Sequence, residues 1–392
     1  MNASASNPWS FPGCPEPPDW SLDWDTLVAR FAWLRALAAC PQDARFHAEG
    51  DVLRHTGMVC AALVALPAWR ALDARARSIV FAAALLHDAA KPACTVIAGE
   101  RITSHGHAVR GALLARNLLW RAETAASETP LAPLAIRNAI VALVRHHHLP
   151  VNLLEQPTPQ RALFAASQTA RCDWLALLSE ADVRGRICDD QRDLLDRIAL
   201  FREYAQEQAC LDAPRAFPSD HSRFLYFRRE DRDPDYLAYD DTRCEVALLS
   251  GLPGAGKSAW RQTHLPHLPV ISLDALRAEM GAPSHGDQGS VLARARELAR
   301  GHLRAGEPFV WDATNITRAL RDPLIDLFSG YGARVRIVYV EAPRRALLRR
   351  NAERAARVPE SVIERLAARL QVPDLTEAHT VEWVEDGQHV QA

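Results

Sequence analysis

Between Leu27 and about Cys210, apolar residues recur at helical spacing among Ala, Leu and Arg, with little strict alternation. That pattern predicts an all-α region. Its longest apolar run, Ile79 to Leu86, is far shorter than the roughly 20 residues a membrane-spanning helix needs, so it reads as a buried core helix. From Asp212 to Arg243 the periodicity dissolves into Pro, Asp, Arg and Tyr, with a breaker at Pro234, which reads as a linker. Beyond it, short apolar runs at Glu245 to Ser250, Pro269 to Ser272, Pro308 to Trp311 and Arg334 to Glu341 alternate with helical patterns. Alternation of this kind predicts an α/β domain with a parallel sheet. The expected organisation is a flexible tail over 1–20, a helical bundle over 21–211, a linker over 212–243 and the α/β domain over 244–392.

Composition narrows the class. With 48% hydrophobic and 24% charged residues in 392, the chain is globular, and disordered or fibrous readings are excluded. A formal charge of -2 gives no global sign for a polyanion, so any such site must be local. Residues 1–20 lack a basic segment followed by an apolar one, which with the short apolar runs points to a cytoplasmic protein without a membrane partner. The eight cysteines are scattered from Cys14 to Cys244 without a C-x-x-C pair, a pattern of reduced, buried thiols.

The basic residues are more informative. Lysine occurs only at Lys91 and Lys257, so 44 of the 46 Lys and Arg residues are arginine (46 minus 2). Such a bias leaves lysine where a compact ammonium cannot be exchanged for a planar guanidinium. Lys257 lies in Gly251-Leu-Pro-Gly254-Ala255-Gly256-Lys257-Ser258, which follows a predicted strand and opens a helix. In that context the glycines let backbone N–H groups surround phosphates, Lys257 reaches the outer phosphates of ATP or another NTP, and Ser258 ligates Mg²⁺. Downstream, Asp274 sits at a strand end with Arg277 three residues on, or caps its helix, and Asp312-Ala-Thr-Asn315 ends another strand, where parallel sheets build their sites. Arginines crowd the helix from Arg344 to Arg357.

On these motifs, with Arg350-Asn-Ala-Glu-Arg354 leading into Val358-Pro359, residues 244–392 resemble the kinase domain of phage-type 5′-OH polynucleotide kinases. The resemblance implies that Asp274 is the general base on the acceptor hydroxyl and that Arg277 holds the acceptor's adjacent phosphate. It places Arg354, with Arg350, over the ATP phosphates, and Asp312 and Asn315 on the acceptor side, orienting those arginines.

In the helical half, His87-Asp88 closes the apolar run, an expensive place for polar groups unless they are paired or metal-bound. Lys91 follows four residues after His87, on the same helical face. With His55, His107, the triplet His146-His147-His148 and Asp182, the set is similar to the HD-domain metal-dependent phosphohydrolases. The lead-in His47 to Thr56 resembles the HD domain of bacterial tRNA CCA-adding enzymes, a family with phosphatase and cyclic phosphodiesterase activities. The ligands implied are His55, His87, Asp88, His107, His146 and Asp182, with Lys91 and Arg186 on substrate phosphate. Successive helical residues point about 100° apart, so the triplet is not separable; His146 is preferred, with His147 second, while His47, His105 and His148 read as surface or loop histidines. Mixed imidazole and carboxylate donors suit Mn, Fe, Co, Ni or Zn, and six are enough for two ions.

The combination resembles the bacterial HD-Pnk proteins. That resemblance implies healing of RNA or DNA ends: phosphorylation of a 5′-OH, and removal of a 2′,3′-cyclic, 2′ or 3′ phosphate, with a separate ligase downstream. Both lysines belong to phosphate motifs, leaving none for ligase adenylylation, and the D-x-D-G-T motif of aspartyl-phosphate phosphatases is absent. The rival readings are a small-molecule or nucleoside kinase fused to an HD nucleotide phosphohydrolase, and a non-enzymatic signalling module.

Overall fold

The computed structural model describes residues 9–99, 101–121, 129–281, 288–354 and 357–390. The chain forms two compact units, one holding residues up to Trp120 and again Leu131–Ala216, the other running onward from Phe217. No helix among the described residues is long and apolar enough to cross a membrane.

The first unit is helical. Its centre is the helix Ala74–Leu86, capped by Asp73 on Ala76 N, in which every residue from Ile79 to Leu86 is buried. Around it pack Val52–Ala65, Leu134–His146 and Cys172–Arg184, and His107–Trp120 packs on Leu134–His146. Two glycines set the spacing. A Cβ on Gly185 would lie 2.7 Å from Val59 N, and one on Gly111 would lie 3.3 Å from a Val144 methyl, so both positions allow close approach of neighbouring elements. The all-α expectation misses one antiparallel hairpin, β1 (Val96–Ala98) with β2 (Arg101–Thr103). Val96 and Ile97 are exposed, so the pair leaves no buried-face signature in the sequence.

The expected tail is corrected for residues 9–20; the earlier ones lie outside the described residues. Phe11 is buried and its N–H donates to Ser78 Oγ at 2.6 Å, Trp9 Nε1 donates to Leu131 O, and the Trp20 ring meets Trp69 at 5.7 Å. Burial of Phe11 and partial burial of Trp9 and Trp20 offset the ordering cost of so short a segment.

The second unit carries a six-stranded sheet in the order β4-β5-β3-β6-β7-β8, formed by β3 (Cys244–Ser250), β4 (Val270–Ser272), β5 (Phe309–Asp312), β6 (Ala333–Glu341), β7 (Thr380–Glu385) and β8 (Gln388–Val390). All pairings are parallel except β7 with β8. Central β3 is buried on both faces: its Val246 and Leu248 pack in one cluster with Trp311 and Phe328, and its Ala247 and Leu249 in another with Trp260 and Val338, which explains its continuous apolar run. The linker expected over 212–243 is corrected too. Ser219 caps a helix Asp220–Arg228 whose Phe224 enters the sheet core. Arg223 reaches back to Leu375 O and His379 O.

Candidate active sites

In the helical unit, both His87 and His147 occupy C-terminal helix caps, where the last carbonyls lack intrahelical partners and the helix dipole favours cations. Each ring uses one such carbonyl: His87 Nδ1 lies 2.8 Å from Ala84 O and His147 Nδ1 2.7 Å from Val144 O. His107 does the same with Ser104 O at 2.7 Å. A carbonyl only accepts, so Nδ1 is the protonated nitrogen in all three rings and Nε2 offers its lone pair, the arrangement by which backbone partners orient metal-ligating histidines.

These Nε2 atoms and that of His55 converge with two carboxylates, Asp88 in the turn just after the central helix and Asp182 on the helix Cys172–Arg184. His55 Nε2 is 3.1 Å from Asp182 Oδ1, and His87 Nε2 is 4.0 Å from the same oxygen. Asp88 Oδ2 lies 3.2 Å from His87 Nε2 and 3.7 Å from His55 Nε2, while its Oδ1 lies 3.2 Å from His107 Nε2. His148 Nε2 is 2.9 Å from His107 Nε2. Three donor groups emerge among the described residues, His55/His87/Asp182, His107/His147/His148 and His47/Glu49/His55; Asp88 reaches toward the first two. Gly185 makes the first possible, since its helix end touches the helix of His55 at Val59.

The donors fit divalent metal. His87 Nε2, His147 Nε2 and both Asp88 oxygens are buried without a well-aligned hydrogen bond, a cost that a cation would remove. Burial, with the neighbouring imidazoles, depresses His147 well below the usual histidine range, and burial holds His148 down to about 3; both are neutral at pH 7, as ligands must be. Burial alone would raise Asp88 and Asp182, but His87 and Lys91 around the first, and Arg186 and His55 around the second, hold both carboxyls well below the ordinary range.

The predicted residues are thus placed as follows. His55, His87, Asp88, His107 and Asp182 come together. The preference for His146 is corrected: His147 takes the inward position because the helix ends at His146 and the following residue turns onto its carbonyls, its ring 5.3 Å from His87 and 5.4 Å from His107. His148, expected at the surface, is part of the second donor set. Lys91 Nζ sits 2.7 Å from Asp88 Oδ2 and donates to Gln42 Oε1, and Arg186 forms two bonds to Asp182, so both cations stand beside the candidate ligands. Glu49 was missed. Its buried carboxylate lies 2.8 Å from His55 Nδ1 and 2.9 Å from His47 Nδ1 and accepts from Ile187 N, bracing His55 from behind. Its only sequence signal is its place in the His47 to Thr56 lead-in.

In the α/β unit, β3 runs into the loop Gly251–Gly256 and the helix Lys257–His264. Gly251 has φ +147° and a Cβ there would lie 2.2 Å from Val340 O; Gly254 has φ +82° and would strike Leu347 O at 2.8 Å. Only glycine suits both positions. Lys257 Nζ folds back onto Gly251 O and Leu252 O, and burial, helped by Arg354, brings its pKa down to about 8 against the opposing pull of Asp312 and Asp274. Ser258 follows at the exposed start of the helix, and Ala255 is buried beneath the loop.

Ser272 caps Ala275 N, so Asp274 is not the cap. Its carboxylate is 78% exposed, 2.6 Å from Arg277 and 4.0 Å from Arg354. Asp312, opposite Leu249 on the neighbouring strand, is raised by burial, with Lys257, Arg261, Asp274 and Arg354 near enough to act on it. Arg350 pairs with Asp386 at 2.5 Å and holds a guanidinium nitrogen over Gly256. The acceptor role expected of Asn315 is corrected: the residue is buried with φ +42°, its Nδ2 donates to Leu249 O, and its own carbonyl accepts from Ser250 Oγ and Arg321. With Thr314 O accepting from Gly251 N, the D-A-T-N segment braces the strand leading into the loop.

Two family models match the chain, the HD domain over residues 54–173 and the AAA domain over residues 246–373. Among solved structures, the chain is similar to a sugar kinase from Janibacter sp. HTCC2649 (TM-score 0.29, 17% identity, covering 37% of this chain and 87% of that one) and to a gluconokinase from Sinorhizobium meliloti 1021 (TM-score 0.28, 23% identity, 38% and 85%). The chain joins an HD domain carrying a His/Asp candidate metal site to a P-loop kinase-like domain.

Proposed function

We propose a bifunctional enzyme that heals nucleic-acid ends, phosphorylating a polynucleotide 5′-OH with ATP and removing a 2′,3′-cyclic, 2′ or 3′ phosphate with its helical unit. The observation that carries this reading is Asp274, a carboxylate free of helix-capping duty and set between Arg277 and Arg354 at the phosphate-loop end of the sheet. A carboxylate in that position takes the proton of an attacking hydroxyl, while Arg277 meets a phosphate on the acceptor and Arg354 meets the transferring phosphoryl group. Lys257 and the loop N–H groups hold the outer phosphates. Asp312, at the tip of the strand beside the loop, and Ser258 would hold the Mg²⁺.

In the helical unit, His55, His87 and Asp182 would hold one divalent ion and His107, His147 and His148 a second, with Asp88 available as a further carboxylate donor. Such ions polarise a phosphoryl oxygen and lower the pKa of a bound water. Lys91 and Arg186 supply fixed positive charge toward the leaving phosphate, and Glu49 keeps His55 aimed.

The test is a division of labour. Lys257→Ala or Asp274→Ala abolishes 5′ phosphorylation of an oligonucleotide and spares removal of its terminal phosphate, and Asp88→Ala does the reverse. If ATP turnover required a sugar or nucleoside and no oligonucleotide were phosphorylated, the small-molecule kinase reading would replace this one.

A further inference from the structure

The α/β unit has a cavity at the end of the sheet opposite the phosphate loop. It opens around residues 242–243, just before β3, and Gly332 and Ala333 at the start of β6. The seven residues of β3 separate it from Gly251, which at about 3.3 Å per residue is roughly 20 Å. Its volume is about 850 Å³, within the range of small-molecule sites.

Its walls combine arginines, rings and two carboxylates. Arg228, Arg232 and Arg243 supply positive charge, Tyr236, Tyr239 and Tyr331 supply rings, and Asp241 and Asp326 also line it; Asp326 is taken up by Arg228 at 3.2 Å, so Arg232 and Arg243 are the cations left to meet a phosphate. Tyr239 is 86% exposed and Tyr236 54%, although rings of this size ordinarily bury much of their area. Arg228 is tied to Asp322 and Asp326, which fixes it in place, and Arg232 Nε is buried without a hydrogen-bond partner. His221 and His379 close the floor, in contact at 3.2 Å, with burial holding His379 down to about 3 and therefore uncharged.

Guanidinium groups bind phosphate, and exposed rings stack on bases. We propose that this cavity binds a nucleotide unit, an aromatic base carrying a phosphate, independently of the P-loop. The unit comes either from a free mononucleotide or from a single strand passing over this face, and the proposal does not rest on which acceptor the kinase site takes.

The experiment uses the full chain with EDTA and without ATP, so that neither catalytic site turns over. The probes are AMP, followed by calorimetry, and a 5′-phosphorylated 12-nucleotide oligouridylate with a 3′ fluorescein, followed by anisotropy. All variants carry Lys257→Ala to weaken binding at the P-loop. Tyr239→Ala and Arg243→Ala each weaken binding about tenfold, Tyr239→Phe retains it because stacking needs the ring alone, and Arg243→Ala lowers the salt dependence by about one phosphate contact. Loss confined to the oligonucleotide identifies a strand, and loss confined to AMP identifies a free nucleotide. If the Tyr239→Ala/Arg243→Ala variant binds both probes as tightly as its parent, the cavity is not a nucleotide site. An unchanged far-UV circular dichroism spectrum and thermal unfolding midpoint of the double variant serve as the folding control.

Discussion

Arg321 and Glu377 form a buried pair whose removal bears directly on the phosphate loop. Arg321 is fully buried; its Nε and one terminal nitrogen meet the two Glu377 oxygens at 2.7 and 2.8 Å, and its other terminal nitrogen donates to Asn315 O and Gln371 O at 3.0 Å. Burial pushes the Glu377 carboxyl up despite this partner, so the carboxylate depends on Arg321 to stay ionised at little cost. Arg321→Met leaves that carboxylate buried with only a long 3.4 Å bond from Asp374 N, a loss of about 3–5 kcal/mol, which at about 1.4 kcal/mol per tenfold is roughly two to three and a half orders of magnitude in local opening. Hydrogen exchange of the peptide spanning β3 reads it directly. Nucleotide affinity falls in parallel, because the Asn315 segment that braces the loop loses its anchor. Replacing both partners, Arg321→Met with Glu377→Leu, recovers most of the protection, since an apolar pair of similar volume costs little where a lone charge costs much. Less than tenfold faster exchange in the single variant would refute the argument that this pair holds the loop.

Three further outcomes follow from named contacts. The Lys257 ammonium, with its pKa at about 8, loses its charge as pH rises through that value, while a bound phosphate favours the charged form; ATP binding at pH near 8.5 therefore takes up a proton, measured by calorimetry in buffers of different ionisation enthalpy, and equal heats would contradict it. His147→Ala removes bound divalent metal, read by elemental analysis of purified protein, whereas His146→Ala leaves the metal content at wild-type level; the opposite result would return the ligand to His146. Gly185→Ala forces its helix away from Val59 and separates His55 from Asp182, so metal affinity drops by about 10–100-fold with the fold retained, as disturbance of ligand support does elsewhere; unchanged affinity would show that this close approach does not set the site.

The two architectures were legible because the helical half repeats its apolar face, and the central strands β3 and β5 are short continuous apolar runs. What escaped has a physical reason in each case. β7 reads Thr-Val-Glu-Trp-Val-Glu, half polar because it lies near the sheet edge, and the hairpin β1–β2 faces solvent. The helix Asp220–Arg228 is rich in charge, and only the cap Ser219 and the buried Phe224 betray it. The site was readable wherever chemistry restricts residue type, as in the glycines of the phosphate loop, Lys257 and His87-Asp88. The choice among His146, His147 and His148 turned on where the helix ends, within one residue, which periodicity does not resolve. The inward turn of Asn315 depends on its positive φ and on Arg321, a partner six residues away in sequence but set by tertiary packing.

The most direct test of the account uses a short RNA bearing a 5′-OH and a 2′,3′-cyclic phosphate, incubated with the protein and Mg²⁺ or Mn²⁺, with and without ATP, and both product ends identified by mass spectrometry. The account predicts a 5′-phosphate that appears only with ATP and loss of the terminal phosphate that needs none. ATP hydrolysis with both RNA ends unchanged would contradict it.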